Sequence, residues 1–350
     1  MSLSRRQFIA AAGAIFCAGA IMPRVSARTH QAIYASAYKN RQHQYGIAWL
    51  DATGKLLQQH RLPERGHGIA CHPASGQLVL FARRPGTTAW IFNQQQQLIG
   101  QLQTPLHTHF CGHGVFSYDG KRIFTTENDF DQGRGLIGIY DTTRNFRRLG
   151  DYTTHGIGPH EVIRLPDSDI LCVANGGILT HPESGRAKLN LADMQSSVVF
   201  IDGKQGQLLS QFNVPYQRLS LRHAAAGQNQ TIWLGGQYEG DSRKQVPLIA
   251  CAHLTQGLSF PTLPESALTS LANYIGSVAC SQDGKRIAFS SPRGHALLML
   301  NAHGQVMTQH KMESVCGLAA GTQHIISSSL TGRFQQSQHT VFWDNHLSHV

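Results

Sequence analysis

Short apolar segments alternate with polar, turn-forming residues along the chain from about residue 28 to the C-terminus. Segments of this length, bounded by Gly, Pro, Asn and Asp, are typical of β-strands. The pattern recurs with a period of about 45 to 60 residues, and each period predicts four strands. The hydrophobic pattern therefore predicts an all-β protein made of successive four-stranded units.

Two of these units contain the same turn, Asp-Gly-Lys-Arg-Ile, at residues 119–123 and 283–287. The dipeptide Asp-Gly favours the positive φ angle that a tight hairpin turn requires. Each turn lies between two apolar segments, as expected for a hairpin within one sheet. We therefore interpret Asp119 and Asp283 as turn residues.

The arrangement of the units predicts a closed ring. Residues 32–38, 46–51 and 55–60 predict second to fourth strands that lack a first strand. A partial unit thus lies at each end of the chain, and five complete units begin near residues 67, 113, 160, 223 and 277. We expect a single β-propeller closed by the N- and C-terminal strands, because closure removes exposed sheet edges. Seven blades fit best, and six blades are the rival.

The unit that begins near residue 160 contains a long insertion, residues 175–195, between its second and third predicted strands. Insertions of this length in a compact β domain are commonly functional surface loops. We expect this insertion to lie over a binding face.

The N-terminus carries a pattern of protein export. Ser4-Arg5-Arg6-Gln7-Phe8 matches the twin-arginine motif, and an apolar run over residues 10–22 leads to the cleavage pattern Val25-Ser26-Ala27. We therefore expect residues 1–27 to be a twin-arginine signal peptide and residues 28–350 to form the propeller. The predicted location is the periplasm, with no retained membrane anchor.

Composition narrows the choice of partners. Charged residues make up 14% of the chain, and the formal net charge of +10 is scattered without interleaved aromatic residues. This pattern does not favour a nucleic-acid partner. Six cysteines follow the signal, and an oxidising compartment permits disulfides, although the spacing does not predict pairs. Small buried hydrophobic residues are the alternative interpretation for Cys71, Cys172 and Cys280.

Histidine opens the first predicted strand of four successive units, at His67, His113, His160 and His223. The first strand of a propeller blade lines the central channel, so equivalent positions form a ring. Imidazole is a common ligand of iron, copper, zinc and nickel, and the ring therefore predicts a site for a transition metal, iron or copper. Neighbouring residues offer supporting or additional ligands: His107, His109, Cys111, His155, Glu161 and Arg222.

Other interpretations remain open for these polar residues. A histidine at a strand start also serves as a hydrogen-bonding group between blades, and such a ring can be purely structural. We expect Glu127–Asp129 to lie on a solvated loop, and Arg83-Arg84 and Arg147-Arg148 to be exposed charges. The scattered histidines are expected to be exposed or incidental: His253, His303, His310, His346 and His349.

The twin-arginine pattern, the His-Gly and Gly-Pro-His strand starts and the Asp-Gly-Lys-Arg turns together resemble a bacterial family known as domain of unknown function 1513. The resemblance covers essentially all of the chain after residue 27. It implies an exported, propeller-like protein. Genes of this family lie beside those of imelysin-like and di-haem peroxidase-like periplasmic proteins, which implies a link to iron or other metal handling. Gly158-Pro159-His160 is also similar to strand starts of lactonase-type and surface-layer-type propellers.

Three hypotheses follow from these patterns. The first is a non-enzymatic periplasmic propeller that binds iron or copper through the histidine ring and serves metal uptake or trafficking, with imelysin-like proteins as partners. The second is an enzyme, either a lactonase-like hydrolase or a metal-dependent oxidoreductase, that uses the same channel. The third is a protein-interaction scaffold without metal.

Overall fold

The computed structural model describes residues 32–185, 187–321 and 323–350. The predicted export signal, with Arg5 and Arg6, lies outside these residues. Within these ranges the chain forms 29 β-strands, one short α-helix, α1 (Glu265–Ser270), and 3-10 helices at Thr142–Arg144, Pro182–Ser184 and Gln228–Gln230. No helix in the described part of the chain is long and apolar enough to cross a membrane.

The strands follow one another along the chain, and the longest connection is the insertion between Asn175 and Ser197. In chain order they are β1 (Tyr34–Asn40), β2 (Tyr45–Leu50), β3 (Leu56–Leu62), β4 (Gly66–Cys71), β5 (Leu78–Ala82), β6 (Thr88–Phe92), β7 (Leu98–Gln103), β8 (Thr108–Phe116), β9 (Arg122–Asp129), β10 (Arg134–Asp141), β11 (Arg147–Thr153), β12 (Pro159–Arg164), β13 (Ile170–Asn175), β14 (Ser197–Asp202), β15 (Leu208–Asn213), β16 (Leu219–Ala226), β17 (Ile232–Tyr238), β18 (Ile249–His253), β19 (Gly257–Ser259), β20 (Ser277–Cys280), β21 (Arg286–Ser291), β22 (Ala296–Asn301), β23 (Val306–Lys311), β24 (Val315–Ala320), β25 (Ile325–Ser329), β26 (Arg333–Phe334), β27 (Ser337–Gln338), β28 (Val341–Trp343) and β29 (Ser348–His349).

These strands form seven antiparallel sheets, the blades of a seven-bladed β-propeller. The second to seventh blades are β4–β7, β8–β11, β12–β15, β16–β19, β20–β23 and β24–β27, in chain order. The first blade contains β1–β3 together with β28 and β29, which both pair with β1. The prediction of a seven-bladed ring closed by both chain ends is therefore confirmed.

Burial explains the sequence pattern of the blades. The second strand of a blade packs against neighbouring sheets on both faces. Each position of β5 is therefore buried, and its sequence is a continuous apolar run. The outermost strands face solvent on one side, and β11 alternates between exposed and half-buried residues. The hydrophobic core therefore lies between the blades.

The two Asp-Gly turns have the predicted structure. The carboxylate of Asp119 accepts hydrogen bonds from the Ser117 hydroxyl at 2.7 Å and the Lys121 amide at 3.0 Å. Asp283 accepts equivalent bonds at 2.6 Å and 3.1 Å. The glycines that follow have φ angles of 72° and 66°, a conformation that other residues adopt at a cost.

Two predictions about charged residues are wrong. Glu127 lies in β9 and is fully buried, where it pairs with the Arg148 guanidinium at 2.8 Å. The acidic residues Glu127–Asp129 are thus part of a strand and not of a solvated loop, and Arg148 is not an exposed charge.

The six cysteines in the described chain are all free. Burial raises the pKa of their thiols, for example that of Cys111 to about 12.

Closure of the first blade depends on the Trp343 side chain, which is 1% exposed and donates a hydrogen bond to the Gly332 carbonyl oxygen at 3.1 Å. We expect Trp343→Ala to lower the free energy of unfolding by about 3–5 kcal/mol, since it leaves a large cavity beside Tyr38. Urea denaturation measures this loss. The matched control is Phe342→Ala on the same strand, where the side chain is 40% exposed and the loss should stay below about 1 kcal/mol. Equal losses in the two variants would contradict this account of the closure.

Candidate metal centre

The innermost strands of five blades contain a β-bulge, at which the pairing with the next strand shifts. The shifts lie between Gly66 and Ile69, Phe110 and Gly114, Pro159 and Glu161, Leu221 and His223, and Val315 and Leu318. A bulge adds a residue to one strand and redirects the neighbouring side chains. His67, His113 and His160 lie within bulges and His223 directly follows one, so the bulges position the histidines that the repeat predicts.

Five imidazole rings come together where the innermost strands meet: His67, His113, His160, His223 and His346. The rings of His67, His113, His160 and His223 lie 5.0, 5.0 and 4.8 Å apart in that order, measured between centroids. The His346 ring lies 4.4 Å from His67, 4.5 Å from His113 and 5.1 Å from His223. We call these five residues together with Glu161 the histidine cluster.

The prediction that His346 is exposed or incidental is wrong. Residues 344–347 separate β28 from β29 and leave the sheet, which carries His346 among the other rings. Asp344 lies in the same segment, and the sequence pattern does not predict it as a site residue. No repeat marks either residue, because the segment has no counterpart in the other blades. The local signal is the Asp-Asn-His sequence directly after β28.

Two carboxylates orient the imidazole rings. Asp344 lies 2.7 Å from Nδ1 of His67 and is itself held by Arg65 at 2.6 Å. Glu161 lies 2.8 Å from Nδ1 of His113 and 3.8 Å from Nδ1 of His223. A carboxylate that accepts the Nδ1 proton of a histidine fixes the ring tautomer and leaves Nε2 as the ligand atom. His67 and His113 are therefore prepared to bind through Nε2.

Four buried ring nitrogens of the cluster have no hydrogen-bond partner among the described residues: His113 Nε2, His160 Nδ1, His223 Nδ1 and His346 Nε2. Such atoms are uncommon in folded proteins, because an unpaired buried polar group costs free energy. The possible ligand atoms of the cluster also lie close together, in two sets. The first set is His113, Glu161, His223 and His346, and the second is His67, His113 and His160. Within each set the ligand atoms lie within 4.8 Å of one another. The cluster could hold a metal ion, and His113 belongs to both sets.

Burial controls the protonation of the cluster. It lowers the pKa of His67 and His223 to about 4 and that of His113 to about 3. The pKa of His160 and of His346 also falls well below the usual range because of burial, and burial raises the pKa of Glu161. Although burial opposes ionisation of Asp344, its contacts with His67 and Arg65 hold the pKa of this carboxyl below its usual range. The five imidazoles are thus neutral at pH 7 and offer lone pairs to a cation.

Two cavities adjoin the histidine cluster. A cavity of about 390 Å³ lies at the channel mouth where the innermost strands begin, and His67, His160 and His223 form part of its lining. A smaller cavity of about 130 Å³ is lined by Glu161 and His346, among others. The cluster is therefore reachable by a small ligand.

The structure brings some of the predicted supporting residues to this region and leaves others away from it. Glu161 belongs to the cluster, while Cys111 and Arg222 line the larger cavity. His109 is buried elsewhere, where its Nε2 contacts Asn128 at 3.1 Å and its ring stacks on Phe130. His107 pairs with Asp131 at the surface, and His155 is exposed.

The long insertion reaches the larger cavity through Lys188, in agreement with the expected loop over a binding face. Arg83 and Arg84 also line this cavity. The prediction that these two arginines are simply exposed charges is wrong, since both are half-buried at the channel mouth. Positive side chains are thus concentrated beside the histidine cluster.

The lowered histidine pKa values predict a loss of stability in acid for the metal-free protein. Below pH 6.5 the unfolded chain binds protons at these histidines that the folded chain does not bind. The free energy of unfolding therefore decreases as the pH is lowered. His346 should account for a loss on the order of 1 kcal/mol between pH 7.5 and 5.5, because burial holds its pKa in the folded chain well below the usual range. We expect urea denaturation of His346→Asn to show a smaller difference between the two pH values than wild-type protein shows. The exposed His310→Asn is the control, and an unchanged difference in His346→Asn would contradict the prediction.

Comparisons with known proteins agree with the fold and give the family. No curated protein matches the chain. Among solved structures, hydrazine synthase of Kuenenia stuttgartiensis matches with a TM-score of 0.62 and 14% identity, over 81% of this chain and 86% of that chain. A likeness at this identity shows the fold alone. The family described as "Protein of unknown function (DUF1513)" matches residues 60–350. The chain therefore belongs to the DUF1513 family.

Proposed function

We propose that the propeller binds one transition metal ion at the histidine cluster and acts without catalysis in metal uptake or trafficking. The observation that carries the proposal is the set of four buried imidazole nitrogens that have no hydrogen-bond partner in the described part of the chain. A metal ion within one of the two ligand sets would satisfy several of these atoms, since neutral imidazole is a good ligand of first-row transition metals. The carboxylates that contact Nδ1 of His67 and His113 support the proposal further, because such partners orient metal-binding histidines.

Iron is the first choice of metal. Glu161 adds a hard oxygen ligand to imidazole nitrogens, a combination that suits iron. A copper(I) site would draw on soft sulfur ligands. However, Cys111 belongs to neither ligand set, and Met312 lines a different cavity from the cluster. Copper(II), which accepts nitrogen and oxygen ligands, is the second choice.

Wild-type protein should contain about one metal ion per chain after isolation or after reconstitution with Fe(II). We expect His113→Ala to lower the affinity by about 100-fold or more, because His113 belongs to both ligand sets and even the loss of an orienting partner costs 10- to about 100-fold. Plasma mass spectrometry and competition with a chromophoric chelator measure this. His113→Gln, of closer volume, guards against a folding defect, and His310→Ala is the matched control. A wild-type protein that takes up neither Fe(II) nor Cu(II), or His113 variants with full metal content, would contradict the proposal.

Two further variants decide which set holds the ion. If the ion binds to His113, Glu161, His223 and His346, then His346→Ala should lose metal and His160→Ala should keep it. Binding to His67, His113 and His160 predicts the reverse. Loss in both variants indicates a site that spans both sets, and retention in both would contradict a site within the cluster.

The compartment and partners form the second part of the proposal. The twin-arginine pattern supports export of the folded chain to the periplasm, where an imelysin-like protein is the proposed partner. We expect a variant with Arg5→Lys and Arg6→Lys to stay in the cytoplasm with its signal uncut, as cell fractionation and mass spectrometry would show. Arg24→Lys lies outside the motif and is the control. Export of the double variant at the wild-type level would contradict the twin-arginine route.

An enzyme is the second candidate function, because the cavity of about 390 Å³ opens onto His67, His160 and His223. Its volume lies in the range of small-molecule sites. A metal-dependent oxidoreductase or a lactonase-like hydrolase would bind its substrate there. Turnover of lactones or of a reduced metal ion by the metal-loaded protein separates this candidate from a metal carrier.

A further inference from the structure

The larger cavity is strongly basic. Among its described lining residues the only carboxylate is Glu239, and five side chains are cationic: Arg83, Arg84, Lys188, Arg222 and Arg293. A cavity lined by one sign of charge concentrates ligands of the opposite sign. The cavity is therefore suited to an anion.

The cations come from different sides of the ring. Arg83 and Arg84 follow β5 in the second blade, and Lys188 belongs to the insertion of the fourth blade. Arg222 lies on β16 in the fifth blade, and Arg293 follows β21 in the sixth blade. One carboxylate contacts cations of two neighbouring blades, as Glu239 does with Lys188 and Arg222. A compact ligand with several separated anionic groups can also contact the cations on the remaining sides of the mouth.

The single carboxylate in the lining is already paired with cations of the protein. Glu239 accepts from Arg222 at 2.9 Å and also pairs with Lys188, so two cations share it. Arg293 lies over the Tyr274 ring at 4.2 Å, and no carboxylate in the described ranges forms an ion pair with it. Its guanidinium is held at the cavity by the ring and is available to a ligand.

We propose that this cavity binds a small polycarboxylate anion, which contacts the arginines and presents carboxylate oxygens to the histidine cluster. Planar guanidinium groups match carboxylates through paired hydrogen bonds, and the cavity volume suits a ligand of this size. The contact with a metal rests on the proposed function, since oxygen ligands can complete a coordination shell that the imidazoles leave open. The contact with the arginines does not require the metal.

The test is calorimetry on the full mature protein with citrate as probe. Metal is removed with phenanthroline, because aminocarboxylate chelators are themselves polycarboxylates. We expect saturable binding of one citrate per chain, weaker binding of succinate, and still weaker binding of acetate and inorganic phosphate. Arg293→Gln should weaken citrate binding about tenfold, whereas Glu239→Gln, which removes the carboxylate from the lining, should not weaken it. Arg144→Gln is the matched control, since Arg144 follows the end of β10 that points away from this mouth.

The possible outcomes separate the two proposals. Absence of citrate binding, phosphate binding as tight as citrate binding, or equal effects of Arg293→Gln and Arg144→Gln would overturn the polycarboxylate assignment. Citrate binding that appears only after metal loading and is unaffected by Arg293→Gln would overturn it as well. If the protein binds metal but not citrate, the metal site stands and this inference fails. If the protein binds citrate through Arg293 but takes up no metal, the polycarboxylate site stands and the proposed metal site fails.

Discussion

The pairing of the C-terminal strands with the first strand of the chain closes the propeller and also completes the histidine cluster. Because β28 and β29 both pair with β1, the last ten residues form the innermost strand of the first blade. Between them, residues 344–347 carry Asp344 and His346 into the channel. Neighbouring innermost strands contact one another around the ring, so the position of each ring histidine depends on this closure.

Glycine allows the imidazole rings to approach one another across a blade boundary. A Cβ atom on Gly68 would lie 2.4 Å from the Gly112 carbonyl oxygen, and one on Gly112 would lie 2.6 Å from Cδ2 of His67. Gly112 also has a φ angle of 105°, which favours glycine. Any larger residue at these positions would push the second and third blades apart. The contact between His67 and His113 therefore depends on glycine within both bulges.

The sequence predicts the blades and the four blade-start histidines because both follow a repeat. Apolar segments and Asp-Gly turns recur along the chain, and a histidine recurs with them. The sequence does not predict the positions of His346 and Asp344, because they interrupt a strand in a segment without a counterpart in the other blades. The burial of Glu127 is not predicted for another reason. Its acidic neighbours suggest a loop, while its partners, Arg148 and Tyr140, lie on other strands of the same blade. Contacts of this kind arise from tertiary structure and leave no local pattern.

The cluster and the channel mouth act on a metal ion in different ways. The imidazole nitrogens that have no partner in the described chain favour a ligand that satisfies them, because an unpaired buried polar group costs free energy, so the cluster favours a cation. The mouth above them carries mostly positive side chains, which repel a bare cation and attract an anion. The opening at the other end of the channel is lined mainly by small apolar residues such as Ala226 and Ala279 and offers no such attraction. Under the proposed function, a metal that enters through the basic mouth would be favoured as an anionic complex, in which the arginines would hold the oxygen ligands and the imidazoles would bind the metal.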